Sequence, residues 1–317
     1  MSLAPLLEAA RLAARLARRL QANIPRLEKD KDGSREVVTL ADYGAQALLC
    51  RALSLYEPQA AVIAEESGAQ FRQLLSPSQQ DELATLLTDL LSEVVTPDQV
   101  AEWLDFGVGR QAARTWIVDP IDGTKGFVMG RHYAICAGLL EGEVITNGLM
   151  ACPAYEGIVG GALFYADEGV CWREPLEGGL PEQVRVASAR SPEAVRVVHS
   201  LERRQAVNAR IEALLREAGL SQAQIRELDS MEKYALVACG EADILLRLEE
   251  LDNPLPRYVW DYAAGVALVQ AAGGVVTDIE GCALVFHQGA ILPHRGFLVS
   301  SGPYHADLVR AARSLGE

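Results

Sequence analysis

The chain reads as an α/β protein in two packed halves, an α+β N-terminal half and an α/β C-terminal half. Its 317 residues exceed one ordinary domain and suit two that share an interface. Apolar residues make up 50% and charged residues 23%, a balance that supplies a sizeable core. Beyond residue 181, runs with helical spacing alternate with short strand-like runs, the pattern of an α/β layer.

Taken in order, the N-terminal segment sets Arg11, Arg15, Arg18 and Arg19 beside Leu12, Leu16 and Leu20 at helical spacing. This predicts an amphipathic first helix packing its Leu stripe on the domain. A transit peptide shares part of that pattern, but Glu8 and the lack of Ser enrichment favour the helix. A polar loop is expected over Glu28 to Glu36, then an extended entry from Val37 into a helix at Asp42. Residues 60 to 64 read as a strand ending in Glu65-Glu66-Ser67. Residues 77 to 104 read as an exposed helical insertion, with Leu83, Leu86, Leu87, Leu90 and Leu91 at three- and four-residue steps. Thr115 to Val118 is a buried-strand pattern that Pro120 and Gly123 should stop, placing Asp119 at a strand's carboxyl end. Strands follow over 133 to 140, 143 to 149 and 157 to 164. Trp172 to Pro181 carries two prolines and two glycines and is the expected boundary, dividing the chain into 1 to 175 and 176 to 317. Beyond it, helices are expected over 192 to 218, 230 to 240, 260 to 272 and 303 to 314. Strands are expected over 183 to 188, 242 to 248, 274 to 277 and 296 to 300.

A net charge of −14 argues against a nucleic-acid polymer, because each phosphate contact needs a Lys or Arg. A small anion held through bound metal stays compatible. Six cysteines (Cys50, Cys136, Cys152, Cys171, Cys239, Cys282) form no CxxC pair and mostly lie in apolar runs, as buried thiols of a reducing compartment would. No apolar stretch approaches the ~18 residues of a membrane span, so a cytoplasmic protein without a membrane partner is expected.

Candidate chemistry concentrates in acidic motifs. In Asp119-Pro120-Ile121-Asp122-Gly123-Thr124, two carboxylates three residues apart repel unless a cation lies between them. An oxygen-only set suits Mg2+ or Mn2+ better than Zn2+. A cap, a surface turn or a salt bridge would account for this motif taken alone. Its partners are Ala64-Glu65-Glu66-Ser67, Val38-Thr39-Leu40-Ala41-Asp42 and Trp260-Asp261. Each of these alone would also read as a solvated strand end or a helix cap.

Together, WIVDPIDGTKGF (116 to 127), AEES (64 to 67), VTLADYGAQ (38 to 46) and WDYAAG (260 to 265) resemble the inositol monophosphatase superfamily of lithium-sensitive, Mg2+-dependent phosphatases. The likeness covers essentially the whole chain in the family's order. Within the family it is nearest to the 3'(2'),5'-bisphosphate nucleotidase branch. Three features carry that: the Thr124-Lys125-Gly126-Phe127 tail, the long helical segment between Glu65 and Asp119, and the segments Leu228 to Tyr234 and Ala242 to Arg247. The resemblance implies a layered αβαβα sugar-phosphatase fold and removal of the 3'-phosphate from 3'-phosphoadenosine 5'-phosphate, or its sulfated form, to give AMP. Inositol monophosphatase or fructose-1,6-bisphosphatase-like activity is the alternative.

The resemblance also assigns roles. Glu65, Asp119 and the Ile121 carbonyl would hold one Mg2+, and Asp119, Asp122 and Asp261 a second. Two or three ions per site are expected, with Mn2+ able to substitute. Asp42 and Thr124 would orient the attacking water, with Glu66 standing behind the ligands. The backbone N–H groups of Gly123 and Thr124 would hold phosphate oxygens. Ser230, Lys233 and Arg247 would contact a small phosphorylated substrate, in a monomer or homodimer. Two departures are visible: Glu202 to Asn208 holds no histidine to meet a base, and Glu36 stands where the family commonly has proline. His132 reads equally well as a site residue or a structural one.

Overall fold

The computed structural model describes residues 3–21, 27–31, 34–201, 205–248 and 256–316. Glu202 to Arg204, part of the first departure, and the Glu36 side chain, the second, lie outside them.

Helix α1 (Ala4–Gln21) buries Leu6, Leu16, Leu20 and the alanines between them, with Leu12 packed at the edge. Its basic face ties down the far end of the first half: Arg11 pairs with Glu174, and Arg18 with Glu177 at 2.8 Å. The stretch expected as a polar loop is instead a hairpin, β1 (Leu27–Lys31) and β2 (Ser34–Val38). Its polar sequence carries no apolar alternation from which a strand could be read. Helix α2 (Leu40–Tyr56) starts at a Thr39 cap and leads through β3 (Ala61–Ala64).

The insertion is three helices: α3 (Gly68–Leu74), α4 (Pro77–Leu91) and α5 (Pro97–Leu104). Each begins with a Ser or Thr cap answered by a Gln three residues on: Ser67/Gln70, Ser76/Gln79 and Thr96/Gln99. The break inside the expected 77–104 helix comes from the left-handed Ser92, followed by the Thr96-Pro97 restart.

Strand β4 (Arg114–Asp122) is followed by the short helix α6 (Thr124–Val128) and by β5 (Ala134–Glu141), β6 (Val144–Cys152), β7 (Ala162–Asp167), β8 (Val170–Pro175) and β9 (Glu182–Gln183). They form one seven-stranded sheet in the order β3-β4-β5-β6-β7-β8-β9, with β3 parallel to β4 and the rest antiparallel. The Trp172 to Pro181 stretch therefore holds most of β8 and the turn toward β9, and the first sheet carries the chain to Gln183.

The second half runs β10 (Arg196–Ser200), α7 (Gln205–Glu217), β11 (Gln224–Leu228), α8 (Glu232–Ala238), β12 (Ile244–Arg247), α9 (Ala263–Ala271), β13 (Val275–Asp278), β14 (Phe297–Ser300) and α10 (His305–Leu315). Its five strands order as β11-β10-β12-β14-β13. Two strands were hidden from sequence reading. β10 lies inside the stretch expected as one helix, and Val195, Val197 and Val198 at its start are β-branched. β11 is an edge strand exposed along most of its length, with no apolar period.

Both sheets are buried on two faces, which produces five layers. Trp116, Val118, Ile135 and Ala137 face α1 and α2, while their neighbours Ile117, Ala134 and Cys136 face α8 and α9. The second sheet turns Val198, Leu245 and Val299 to α8 and α9, and Val197, Ile244 and Leu298 to α7 and α10. Helix, sheet, helix, sheet, helix is the αβαβα order. Of the cysteines, Cys50, Cys136, Cys152 and Cys171 are buried as expected and all six are free thiols, but Cys282 is exposed.

Helix α9 lies very close to the first sheet. Gly138 and Gly148 face each other across β5 and β6. A methyl on Gly138 would come within 2.8 Å of the Ala263 methyl, and one on Gly148 within 2.8 Å of Ala267. This flat patch fixes the depth of α9 and of Asp261 just before it. Gly138→Val should destabilise the fold by about 1–3 kcal/mol and lower Tm by at least about 2 °C, read by thermal unfolding; an unchanged Tm would contradict the close contact.

Candidate active site

Because β3 and β4 run parallel in register, with Ala64 beside Val118, the acids that follow come out at the same end. Glu65 leaves β3 there, next to Asp119. The position is locked from α2: the Gln46 amide donates to the Glu66 carbonyl at 2.6 Å and accepts from the Glu66 N–H at 2.9 Å. Gln46 and Glu66 are both buried. Gln46 closes the VTLADYGAQ motif, but nothing in the sequence signals this clamp.

Pro120 does not end β4, contrary to expectation. Pairing with β5 shifts register between Asp119 and Asp122 and resumes at Asp122 opposite Ala134. A proline is tolerated there because the irregularity removes the ladder bond its missing N–H would have made. The shift also has a chemical consequence. Residues three apart on a regular strand point to opposite faces, whereas the extra residue turns Asp119 and Asp122 toward one point. Asp261, in the 3-10 turn before α9, completes the group. Carboxylate oxygens of Asp119, Asp122 and Asp261 all lie within 4.8 Å of one another.

That oxygen-only, convergent set has the spacing and hardness to share a divalent cation, whose metal–oxygen distances run about 2.0–2.6 Å. Glu65 is not among the three that meet this spacing. Its charge is nonetheless felt at Asp122. Burial pushes the Asp122 carboxyl above its ordinary range, opposed by the charges of Lys233 and Arg247 and by the Met231 N–H that it accepts.

Asp42 is the third residue of α2 and nearly fully buried. One carboxylate oxygen is used in the cap, accepting the Thr39 N–H at 2.8 Å and the Thr39 hydroxyl at 2.7 Å. The other faces Thr124, whose hydroxyl lies 3.3 Å away and 3.0 Å from the Ile121 carbonyl. The expected Asp42/Thr124 pair is thus assembled. A carbonyl has two lone pairs, so the Thr124 contact alone does not exhaust Ile121. Gly123 sits at φ 84°, a left-handed geometry that glycine adopts without strain. Helix α6 behind it is one short turn, so its aligned peptide dipoles add little.

The segment from Leu228 to Lys233 closes over this loop. Ser230 is left-handed (φ 63°) and packs on Gly123, where an added methyl would meet its Cβ at 3.0 Å. The Ser230 hydroxyl accepts the Glu232 N–H at 3.2 Å. The Lys233 ammonium is buried and donates to the carbonyls of Leu228, at 3.0 Å, and Ser230. Arg247 donates to the Asp261 carbonyl at 3.1 Å and lies over the Tyr262 ring. Ser230, Lys233 and Arg247 are therefore gathered at the carboxylates, with the two cations hydrogen-bonded to backbone.

His132, left open by the sequence, has Nδ1 3.1 Å from both Glu232 oxygens, with Glu156 4.0 Å from Nε2. The Glu232 contact raises the His132 pKa above the ordinary 6.5, against a lowering by partial burial. Raised in the folded state, the group stabilises fully below that ordinary value, and its contribution fades as pH climbs through the native pKa. His132→Gln should thus lower Tm more at about pH 5.5 than at about pH 9. Equal losses at both would disprove the charged pair.

The chain matches the model of the inositol monophosphatase family over residues 3–317. It is 32% identical to a probable 3'(2'),5'-bisphosphate nucleotidase of Arabidopsis thaliana over 96% of this chain and 92% of that protein. It is 31% identical to a 3'(2'),5'-bisphosphate nucleotidase of Oryza sativa over 90% of this chain and 86% of that one. Among solved structures, an IMPase of Thermotoga maritima superposes with a TM-score of 0.68 at 23% identity, covering 98% of this chain and 96% of that one. An inositol monophosphatase from Anabaena gives 0.60 at 20% identity, covering 98% and 95%. The chain belongs to the inositol monophosphatase family of phosphatases.

Proposed function

We propose that this protein is a Mg2+-dependent phosphomonoesterase that takes the 3'-phosphate from 3'-phosphoadenosine 5'-phosphate or its sulfated form. The observation that carries the chemistry is the meeting of Asp119, Asp122 and Asp261 next to the Thr124/Asp42 pair. The substrate class is supported by likeness to bisphosphate nucleotidases over nearly the whole length. The superposed inositol monophosphatases are too distant in sequence to bear on more than the fold. Six free thiols support a reducing, cytoplasmic setting.

Divalent cations held by Asp119, Asp122, Asp261, Glu65 and the Ile121 carbonyl would supply charge neutralisation and water activation. The chain's own groups do the rest. Thr124 is a weak base alone, and the Asp42 oxygen behind it provides the sink for a proton passed from water. The backbone N–H groups of Gly123 and Thr124 offer donors to phosphate oxygens. Ser230, beside Gly123, is the substrate contact nearest that loop, while Lys233 and Arg247 offset the substrate's charge from behind.

Phosphate release with Mg2+ should be faster from 3'-phosphoadenosine 5'-phosphate than from inositol 1-phosphate or fructose 1,6-bisphosphate at equal concentration. In the same assay a folded Asp122→Asn variant should lose at least about 100-fold. A preference for inositol or sugar phosphate would move the substrate assignment, and wild-type rates in the variant would sink the mechanism. Thr124→Val and Asp42→Asn should each lower kcat by about 10²–10⁴-fold. Because they act as one unit, the double variant should fall no further than the worse single; additive losses would show separate roles.

A further inference from the structure

Two consecutive residues of the first half, Arg131 and His132, hold two residues of the second half that flank the Ser230-Met231 turn. Arg131 Nε lies 2.8 Å from Asp229 Oδ2, and His132 Nδ1 3.1 Å from Glu232. The acidic partners are enclosed, with side chains 9% and 1% exposed. Between these grips stand the left-handed Ser230, against Gly123, and the Met231 N–H, bonded to Asp122.

Gly126, in the Thr124-Lys125-Gly126-Phe127 tail, makes room for the first grip. A methyl there would stand 3.1 Å from Asp229 Oδ2 and 2.4 Å from the His132 carbonyl. The same residue's carbonyl accepts the Arg131 N–H at 2.8 Å, folding the chain back so that Arg131 meets Asp229. Neither Asp229 nor Arg131 belongs to the carboxylate group or the Thr124 pair.

We propose that Gly126, Arg131 and Asp229 form a clasp between the halves that sets the Ser230 turn over the phosphate loop, making Arg131 and Asp229 positioning residues for substrate binding. His132 and Glu232 hold the turn's other side. A left-handed non-glycine residue persists only when its surroundings hold it there, and the clasp anchors the residue immediately before it. The inference rests on the phosphomonoesterase reading, but its structural half can be measured without turnover.

The test uses the full-length protein with Arg131→Met, Asp229→Asn, the conservative Arg131→Lys, and Arg72→Met as a control that removes an exposed ion pair with Asp98 elsewhere. Amide hydrogen exchange over residues 229 to 233 should quicken about tenfold in the first two variants and not in the control. KM for 3'-phosphoadenosine 5'-phosphate should rise about fivefold or more, with kcat within about threefold, the signature of lost binding rather than lost chemistry. Arg131→Lys should recover part of both effects. Unchanged exchange and KM in Arg131→Met overturn the proposal, as would a fall in kcat with KM unmoved. Arg131 is partly exposed, so this variant decides the matter if Asp229→Asn fails to fold. A wild-type protein that releases no phosphate would defeat the phosphomonoesterase reading, while exchange would still judge the clasp.

Discussion

Concentrating negative charge is the constraint on which the rest of this molecule depends. Three carboxylates with oxygens within 4.8 Å repel by on the order of 3 kcal/mol per pair at the effective dielectric of a protein interior. A scaffold that could yield would let them drift apart. The two glycines that seat α9 on the first sheet remove that freedom, since only the methyls of Ala263 and Ala267 stand between helix and strand backbone there. Arg247 holds the Asp261 carbonyl, and the charges of Lys233 and Arg247 work against the repulsion at Asp122. Close packing and buried cations therefore serve one purpose, to keep a charged group preformed.

The layered order follows from the same need. Asp119 and Asp122 belong to the first sheet and Asp261 to the second half, so the helix delivering Asp261 must lie between the sheets. Burial on both faces explains why the strands of the first sheet read as near-continuous apolar runs and were recognisable. It also explains why polar or edge pieces were not. The β1-β2 hairpin and β11 owe their conformation to pairing rather than to an apolar face, and the register shift at Pro120 leaves no mark that distinguishes it from a strand end.

For the site, residue types in motifs were legible because carboxylates near strand ends and helix starts are unusual in combination. The sequence pointed to Asp42, Thr124, Asp119, Asp122 and Asp261, and the fold brings them together. Contacts made through backbone or across the halves were not legible. The Gln46 clamp on Glu66, the Met231 N–H on Asp122 and the Arg131 pair with Asp229 each join residues distant in the chain through atoms every residue has, or through charges that look solvated in isolation. His132 illustrates the limit: its neighbours in sequence left two readings, and only Glu232, a hundred residues on, explains its placement.

On the proposed function, chemistry and recognition fall to different parts of this architecture. The carboxylates and the Thr124/Asp42 pair sit on the first sheet, on α2, at the start of α6 and in the turn before α9. The proposed substrate side is a short turn whose geometry rests on a left-handed serine, two buried lysine hydrogen bonds and the paired grips of Arg131 and His132. Such a turn reaches the charged group through the Met231 N–H and the charge of Lys233, so its other residues can change without disturbing that group. On the proposed reading, a phosphatase fold built this way can exchange one phosphorylated substrate for another while keeping the same carboxylates, which is the physical reason that family membership alone does not decide the substrate.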